Sequence, residues 1–272
     1  MLSVKDIIGK NIKPFFLTKD VLYRTPLEVA IIAHFQQKRF LEKNYVSEQN
    51  YASDEINTSV QIETRNNIDN FESYFIALDT ETTGLPPKGK NLNPEKDWPL
   101  WNSCRMVEMA YEKRNVKTNE IIKKETFLVF PEDFVIPQSA INIHGITNEM
   151  AAKEGRPIET IFDILFRDIT QSNNPTMVAH NMAFDENVLL AELYRLQARN
   201  PQSTKFSEYI NNWKGLNKHC TMLVGTEPGG KWPKLNVLYL KYFPSLPEGS
   251  FHRAAYDANL CSDIYYKQIT GF

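Results

Sequence analysis

Tyr74-Phe75-Ile76-Ala77-Leu78-Asp79-Thr80-Glu81-Thr82-Thr83-Gly84-Leu85 is the stretch from which the fold is read. Its first five residues carry no charge and have the length of a buried strand. The strand ends on two acids, Asp79 and Glu81, two positions apart. In a strand, residues i and i+2 project to one face. Two carboxylates side by side raise each other's pKa unless a cation lies between them. Hard oxygen ligands of this kind suit Mg²⁺ or Mn²⁺. Thr82 to Leu85 then turn the chain, where backbone N–H groups and Leu85 can approach a substrate. A polar, solvated strand end has the same local composition, so this pair needs company before it counts as a site.

Reading outward, the pattern is α/β. Residues 105–114 and 121–130 are predicted strands, separated from the first by a loop, residues 86–102, holding four prolines and two tryptophans. After Pro157, the residues Ile158, Ile161, Phe162, Leu165, Phe166 and Ile169 recur at helical spacing. Residues 177–179 form a short apolar strand. Residues 184–199, 235–242 and 253–269 are predicted helices. Upstream, Thr25-Pro26-Leu27-Glu28 is a capping box with proline at the first helical position, followed by an apolar face of Val29, Ile32, Phe35, Phe40 and Leu41. Residues 47–70 are polar and linker-like. The expected organisation is a small, mostly helical extension with a linker over residues 1–70, then one domain over residues 71–272.

Bulk properties set wide limits. The chain has 272 residues, of which 42% are hydrophobic and 24% charged, enough to build a sizeable core. A net charge of −2 does not advertise nucleic-acid binding, nor does it oppose it, since a carboxylate site is acidic until cations fill it. The three cysteines, Cys104, Cys220 and Cys261, have no CxxC spacing, so neither a zinc site nor a disulfide framework is expected. The first residues lack the apolar core of a signal peptide, and no run is long enough to span a bilayer. A cytoplasmic or nucleoid-associated location is expected.

Two further clusters join Asp79 and Glu81. In Val178-Ala179-His180-Asn181-Met182-Ala183-Phe184-Asp185 a strand runs into a helix, with Asp185 near the helix N-terminus, where the macrodipole favours an acid. In Phe251-His252-Arg253-Ala254-Ala255-Tyr256-Asp257, a single helix would set His252 and Asp257 ~140° apart. His252 is therefore expected in the loop before the helix, with Asp257 one turn in. A loop histidine beside a metal site can take a proton from water.

In this order, DTETTGL at Asp79, HNMAFD at His180 and HRAAYD at His252 resemble the three motifs of the DEDDh (DnaQ-like) 3′–5′ exonuclease family, typified by the proofreading epsilon subunit of DNA polymerase III. Ile143-His144-Gly145-Ile146-Thr147 is similar to the family's HGI segment. The resemblance covers about residues 71–270. It implies an RNase H-like mixed sheet flanked by helices, its first three strands antiparallel and the later ones parallel. It implies two divalent ions, Mg²⁺ or Mn²⁺, held by Asp79, Glu81, Asp185 and Asp257, with His252 as the base. The product would be nucleoside 5′-monophosphates, released from single-stranded or frayed 3′ ends of DNA. Backbone around Thr80 and Thr82 would hold the terminal nucleotide. Leu85 would wedge against its base, and His144 and Phe184 would line its pocket. Asn181 lies on this substrate side and, with His180, would support the metal site.

Other readings stay open on the sequence alone. The acids act at phosphate, so they do not separate DNA from RNA; contacts to the 2′-OH decide that. A non-catalytic nucleic-acid-binding module could keep the fold. Residues 1–70 could dock a polymerase or another protein. Lys231-Trp232-Pro233-Lys234, and the proline-rich loop with Lys88, Lys90, Lys96, Trp98 and Trp101, mix bases with aromatics in a way that either grips single strands or caps a core.

Overall fold

The computed structural model describes residues 73–89 and 92–271. The helix expected from Thr25, the linker and the boundary near residue 70 lie outside the described residues. Strand β1 (Tyr74–Thr82) pairs antiparallel with β2 (Met106–Asn115), which pairs antiparallel with β3 (Ile121–Leu128). On its other side β1 runs parallel to β4 (Thr176–Ala179), and β4 runs parallel to β5 (Lys218–Cys220). The sheet order is β3-β2-β1-β4-β5. This is the RNase H-like mixed sheet expected from the motifs, antiparallel first and parallel after.

The two faces of β1 explain the layers. Ile76 and Leu78 bury into the main core with α4 (Ile158–Gln171), α5 (Met182–Arg199) and α6 (Lys205–Gly215). Phe75 and Ala77 point the other way, onto Cys261 and Tyr265 of α9 (Ala254–Thr270). Both faces of the strand are covered, which is why its sequence is an unbroken apolar run rather than an alternating one.

Connecting elements complete the chain order. A short helix α1 (Pro94–Asp97) and a 3₁₀ segment (Trp98–Ser103) fill the proline-rich loop. Trp101 is buried in the main core, and Trp98 packs against that core beneath the Arg195 guanidinium, 5.5 Å from its ring. These two tryptophans therefore cap the core. Helices α2 (Gln138–His144) and α3 (Asn148–Glu154) follow β3, and α7 (Thr221–Val224) and α8 (Leu235–Tyr242) precede α9. The predicted helices over 235–242 and 253–269 are present within a residue of their expected ends. Helix α5 starts two residues earlier than expected, because Asn181 takes a left-handed conformation (φ 71°) that launches it directly from the end of β4.

The α9 face of β2 is polar, although buried. Glu108 accepts from the Arg253 Nη2 (2.7 Å) and from the backbone N–H of Ala254 (2.8 Å). Glu112 accepts from Asn259 (3.2 Å), and Arg114 donates to Asp263 (2.8 Å). Three side chains on one strand thus meet successive turns of α9. Because each pairing is directional, it fixes the helix's register along the sheet, not only its proximity.

Candidate active site

The alternation of β1 continues past its apolar run. Asp79 and Glu81 share the parity of Phe75 and Ala77, so they face α9. Thr80 has the opposite parity and faces α5, where its hydroxyl donates to Asp185 Oδ1 (2.8 Å) in the first turn of that helix. Asp257 sits in the first turn of α9, and His252 lies in the loop just before it, as the helical geometry required. The His252 backbone is left-handed (φ 60°), which turns its N–H onto Asp257 Oδ2 (3.1 Å). One donor atom each from Glu81, His252 and Asp257 lies within 4.8 Å of the others. The second oxygen of Asp257, Oδ1, is buried and accepts no hydrogen bond among the described residues. Burial pushes up the Asp79 pKa, and Asp185, Asp257 and Glu81 add to it through their charges. All five residues thus converge at one end of β1.

The comparisons with known proteins bear on this arrangement. The family model for the RNase_T exonucleases matches residues 76–265.

The chain belongs to the RNase_T exonuclease family.

Its relatives include DNA polymerase III subunit epsilon of Rickettsia felis, 28% identical over 196 residues, covering 72% of this chain and 73% of that protein. Three prime repair exonuclease 2 of Homo sapiens is 27% identical over 193 residues, covering 68% and 79%. Among solved structures, Escherichia coli exonuclease I with single-stranded DNA and zinc is similar with a TM-score of 0.50 at 18% identity. That match covers 74% of this chain and 41% of exonuclease I, so this chain spans about two fifths of it. At that identity the likeness shows the fold alone.

In this exonuclease-family chain the acids are held against their own charge. Burial raises Glu81 to about 8, helped by Asp257 and Glu108. Burial raises Asp185 to about 7, opposed by the Thr80 hydroxyl and backbone. Burial raises Asp257 to about 6, opposed by the His252 N–H. The cation that works against the rise at Glu81 is Arg253, and its guanidinium is committed to Glu108. Raised acids with a buried, unpartnered oxygen make a donor set suited to hard divalent cations.

The substrate-side residues fall into two groups. Leu85 is 81% exposed at the turn after β1, free to meet a ligand. His144 is buried, and its Nδ1 accepts from the Ile146 N–H (3.0 Å), a contact allowed by the left-handed Gly145 between them (φ 76°). That leaves Nε2 as the protonated nitrogen, buried, with the Thr82 backbone beside the ring. Phe184 is half-buried against the main core. Asn181 is exposed beside the start of α5. His180 has a different place from the one expected. Its Nδ1 meets the Thr221 hydroxyl and its Nε2 the Pro233 carbonyl, both at 3.0 Å, so neither nitrogen is turned to the acids.

Glu108 lies outside the motifs, and Arg253 lies inside HRAAYD with a role that the motif does not show. Glu108 is fully buried and stands directly across the ladder from Glu81. It caps the first N–H of α9 and binds the residue after His252. We expect Glu108→Ala to lower turnover by about 100-fold through displacement of His252 and Asp257. Glu108→Gln, which can still accept from Ala254, should recover part of that loss. Steady-state kinetics and a melting curve on both variants check this; equal losses in the two would remove the positioning role.

Proposed function

We propose that the chain is a divalent-metal-dependent 3′–5′ exonuclease that releases nucleoside 5′-monophosphates from DNA 3′ ends. The observation that carries this is the convergence of Asp79, Glu81, Asp185, Asp257 and His252 at the end of β1, with Asp257 Oδ1 left unpartnered. The four acids would hold two Mg²⁺ or Mn²⁺ ions. When bound, such ions lower the pKa of water and neutralise charge on the phosphodiester.

The chain's own residues supply the rest. Exposed His252 accepts the proton of the attacking water at its imidazole. The new P–O bond forms in line with the bond that breaks, and the electron pair leaves on the 3′ oxygen of the penultimate nucleotide. The His252 loop is kept in place from two sides, by Asp257 on its backbone N–H and by Glu108 through Arg253 and Ala254. Backbone at Thr80 and Thr82 and the buried Nε2–H of His144 would grip the terminal nucleotide. Leu85 and Phe184 would enclose its base, with Asn181 at the pocket edge. A base enclosed in this way leaves little room for chain beyond it, which sets the polarity.

The curated relatives are named for DNA polymerase III and for three prime repair, which favours DNA over RNA as the substrate. The likeness to a polymerase subunit makes a polymerase the first partner to try for residues 1–70. Among the described residues, no helix is long and apolar enough to cross a membrane. A linear single strand should be degraded with Mg²⁺, while the same strand closed into a circle should resist. Gel analysis of the two reads the outcome directly, and cleavage of the circle at a comparable rate would overturn the exonuclease reading.

A further inference from the structure

We propose that the loop bearing Lys231, Trp232 and Lys234 is a stacking platform for the single strand that approaches the candidate site. The proposal takes its ligand from the exonuclease reading above. Trp232 is 69% exposed, whereas Trp101 and Trp213 are buried and Trp98 packs against the core. Among the described residues, the Trp232 indole makes no ring contact or hydrogen bond, and Lys231 and Lys234 make no ion pair.

An exposed indole on a loose loop would carry little meaning, but this loop is pinned. The Pro233 carbonyl accepts from His180 Nε2 at 3.0 Å, and the Thr221 hydroxyl holds the other ring nitrogen. A carbonyl can only accept, so Nε2 carries the proton and the tautomer is set. On the same side of Trp232, two residues past Pro233, α8 begins at Leu235. Proline and the helix start together restrict the backbone that follows the indole, which lowers the entropy lost when a ligand settles on it.

The anchor also locates the loop. Val178 of β4 pairs with Ala77 of β1 in the parallel ladder. His180 follows the last residue of β4, and the Thr221 hydroxyl that meets its Nδ1 also meets the Cys261 thiol of α9 (3.7 Å). Cys261 is one helical turn past Asp257 on α9, so the residue that holds Pro233 is tied through Thr221 and Cys261 to the helix that carries an acid of the candidate site. This gives His180 a part to play that metal support does not.

The surroundings select the class of ligand. A protein-binding hot spot is ringed by other apolar contacts. Trp232 is instead flanked by two exposed lysines, with Gly229 and Gly230 just before. One π-face between two cations suits a polyanion that also presents flat rings, which is a single-stranded nucleic acid. A duplex keeps its bases stacked on each other and offers the indole nothing.

The test uses the full chain, a short 5′-fluorescein oligothymidylate and fluorescence anisotropy, with Ca²⁺ in place of Mg²⁺ to hold back turnover. Trp232→Ala should weaken binding about tenfold, the loss of one base–aromatic stack. Trp232→Phe, which keeps a ring, should recover most of it; a merely structural loop would not distinguish the two. Lys231→Ala with Lys234→Ala should reduce the slope of log affinity against log salt by about 0.7 for each phosphate the lysines no longer neutralise. Unchanged affinity in Trp232→Ala together with an unchanged salt slope in the double variant would overturn the platform, as would absence of oligothymidylate binding by the wild type. Wild-type hydrolysis of the 4-nitrophenyl ester of thymidine 5′-monophosphate, a substrate with no strand, is read separately. Failure there with oligonucleotide binding intact would strike the catalytic reading and leave the platform standing.

Discussion

Asp185→Asn should cut exonuclease turnover by at least about 1,000-fold, since losing one cation ligand removes several kcal/mol of charge stabilisation at the phosphate. The same variant should be more stable than the wild type when metal is withheld. Burial raises the Asp185 carboxyl from its ordinary value of 3.8 to about 7. Between those values the folded protein keeps a proton that the unfolded chain has released. Rising pH therefore favours the unfolded state through this window. The penalty is absent below about 4 and complete above about 7. Asn carries no such charge and can still accept the Thr80 hydroxyl. In the presence of chelator, the melting temperature of the variant should match the wild type near pH 4 and exceed it increasingly up to pH 7. Added Mn²⁺ should close that gap for the wild type alone. Near-normal turnover in folded Asp185→Asn would remove Asp185 from the site.

His252→Ala should lower turnover by roughly 100- to 10,000-fold, the range for a lost general base. Its contribution to the fold is through the backbone, because the N–H that reaches Asp257 Oδ2 survives the substitution. The side chain is exposed and leaves no cavity. The variant should therefore melt near the wild type, bind Mn²⁺ and bind oligonucleotide. Added imidazole should restore some turnover. Near-normal turnover in folded His252→Gln would assign the base elsewhere.

Much of this site was legible because its residues lie on elements with simple periods. Asp79 and Glu81 follow an apolar strand, so their shared face follows from the pleat. His252 and Asp257 are too far apart around a helix to share a face, and the loop position of His252 follows from that alone. Glu108 and Arg253 were hidden for the opposite reason. A glutamate within a strand ordinarily marks a solvent face, yet β2 is covered on both sides and its polar row docks α9. Only a partner 145 residues away shows what Glu108 is for. Helices α2, α3 and α6 were missed because they are short or mix polar residues into their apolar faces, and β5 because it spans three residues. The His180 anchor was hidden in the same way as Glu108. In the motif it stands next to Asn181 and reads as support for the metal, but its ring nitrogens are taken by Thr221 and Pro233, which close on it only in the fold.

Metal-dependent removal of single nucleotides from a 3′ end is best tested by a time course on a 5′-labelled single-stranded DNA oligonucleotide, with Mg²⁺ or with excess chelator. The expected result is a ladder that shortens one nucleotide at a time, with release of nucleoside 5′-monophosphates, and no reaction with chelator. Immediate appearance of the labelled 5′-terminal nucleotide with the rest of the strand intact, or digestion unaffected by chelator, would contradict it.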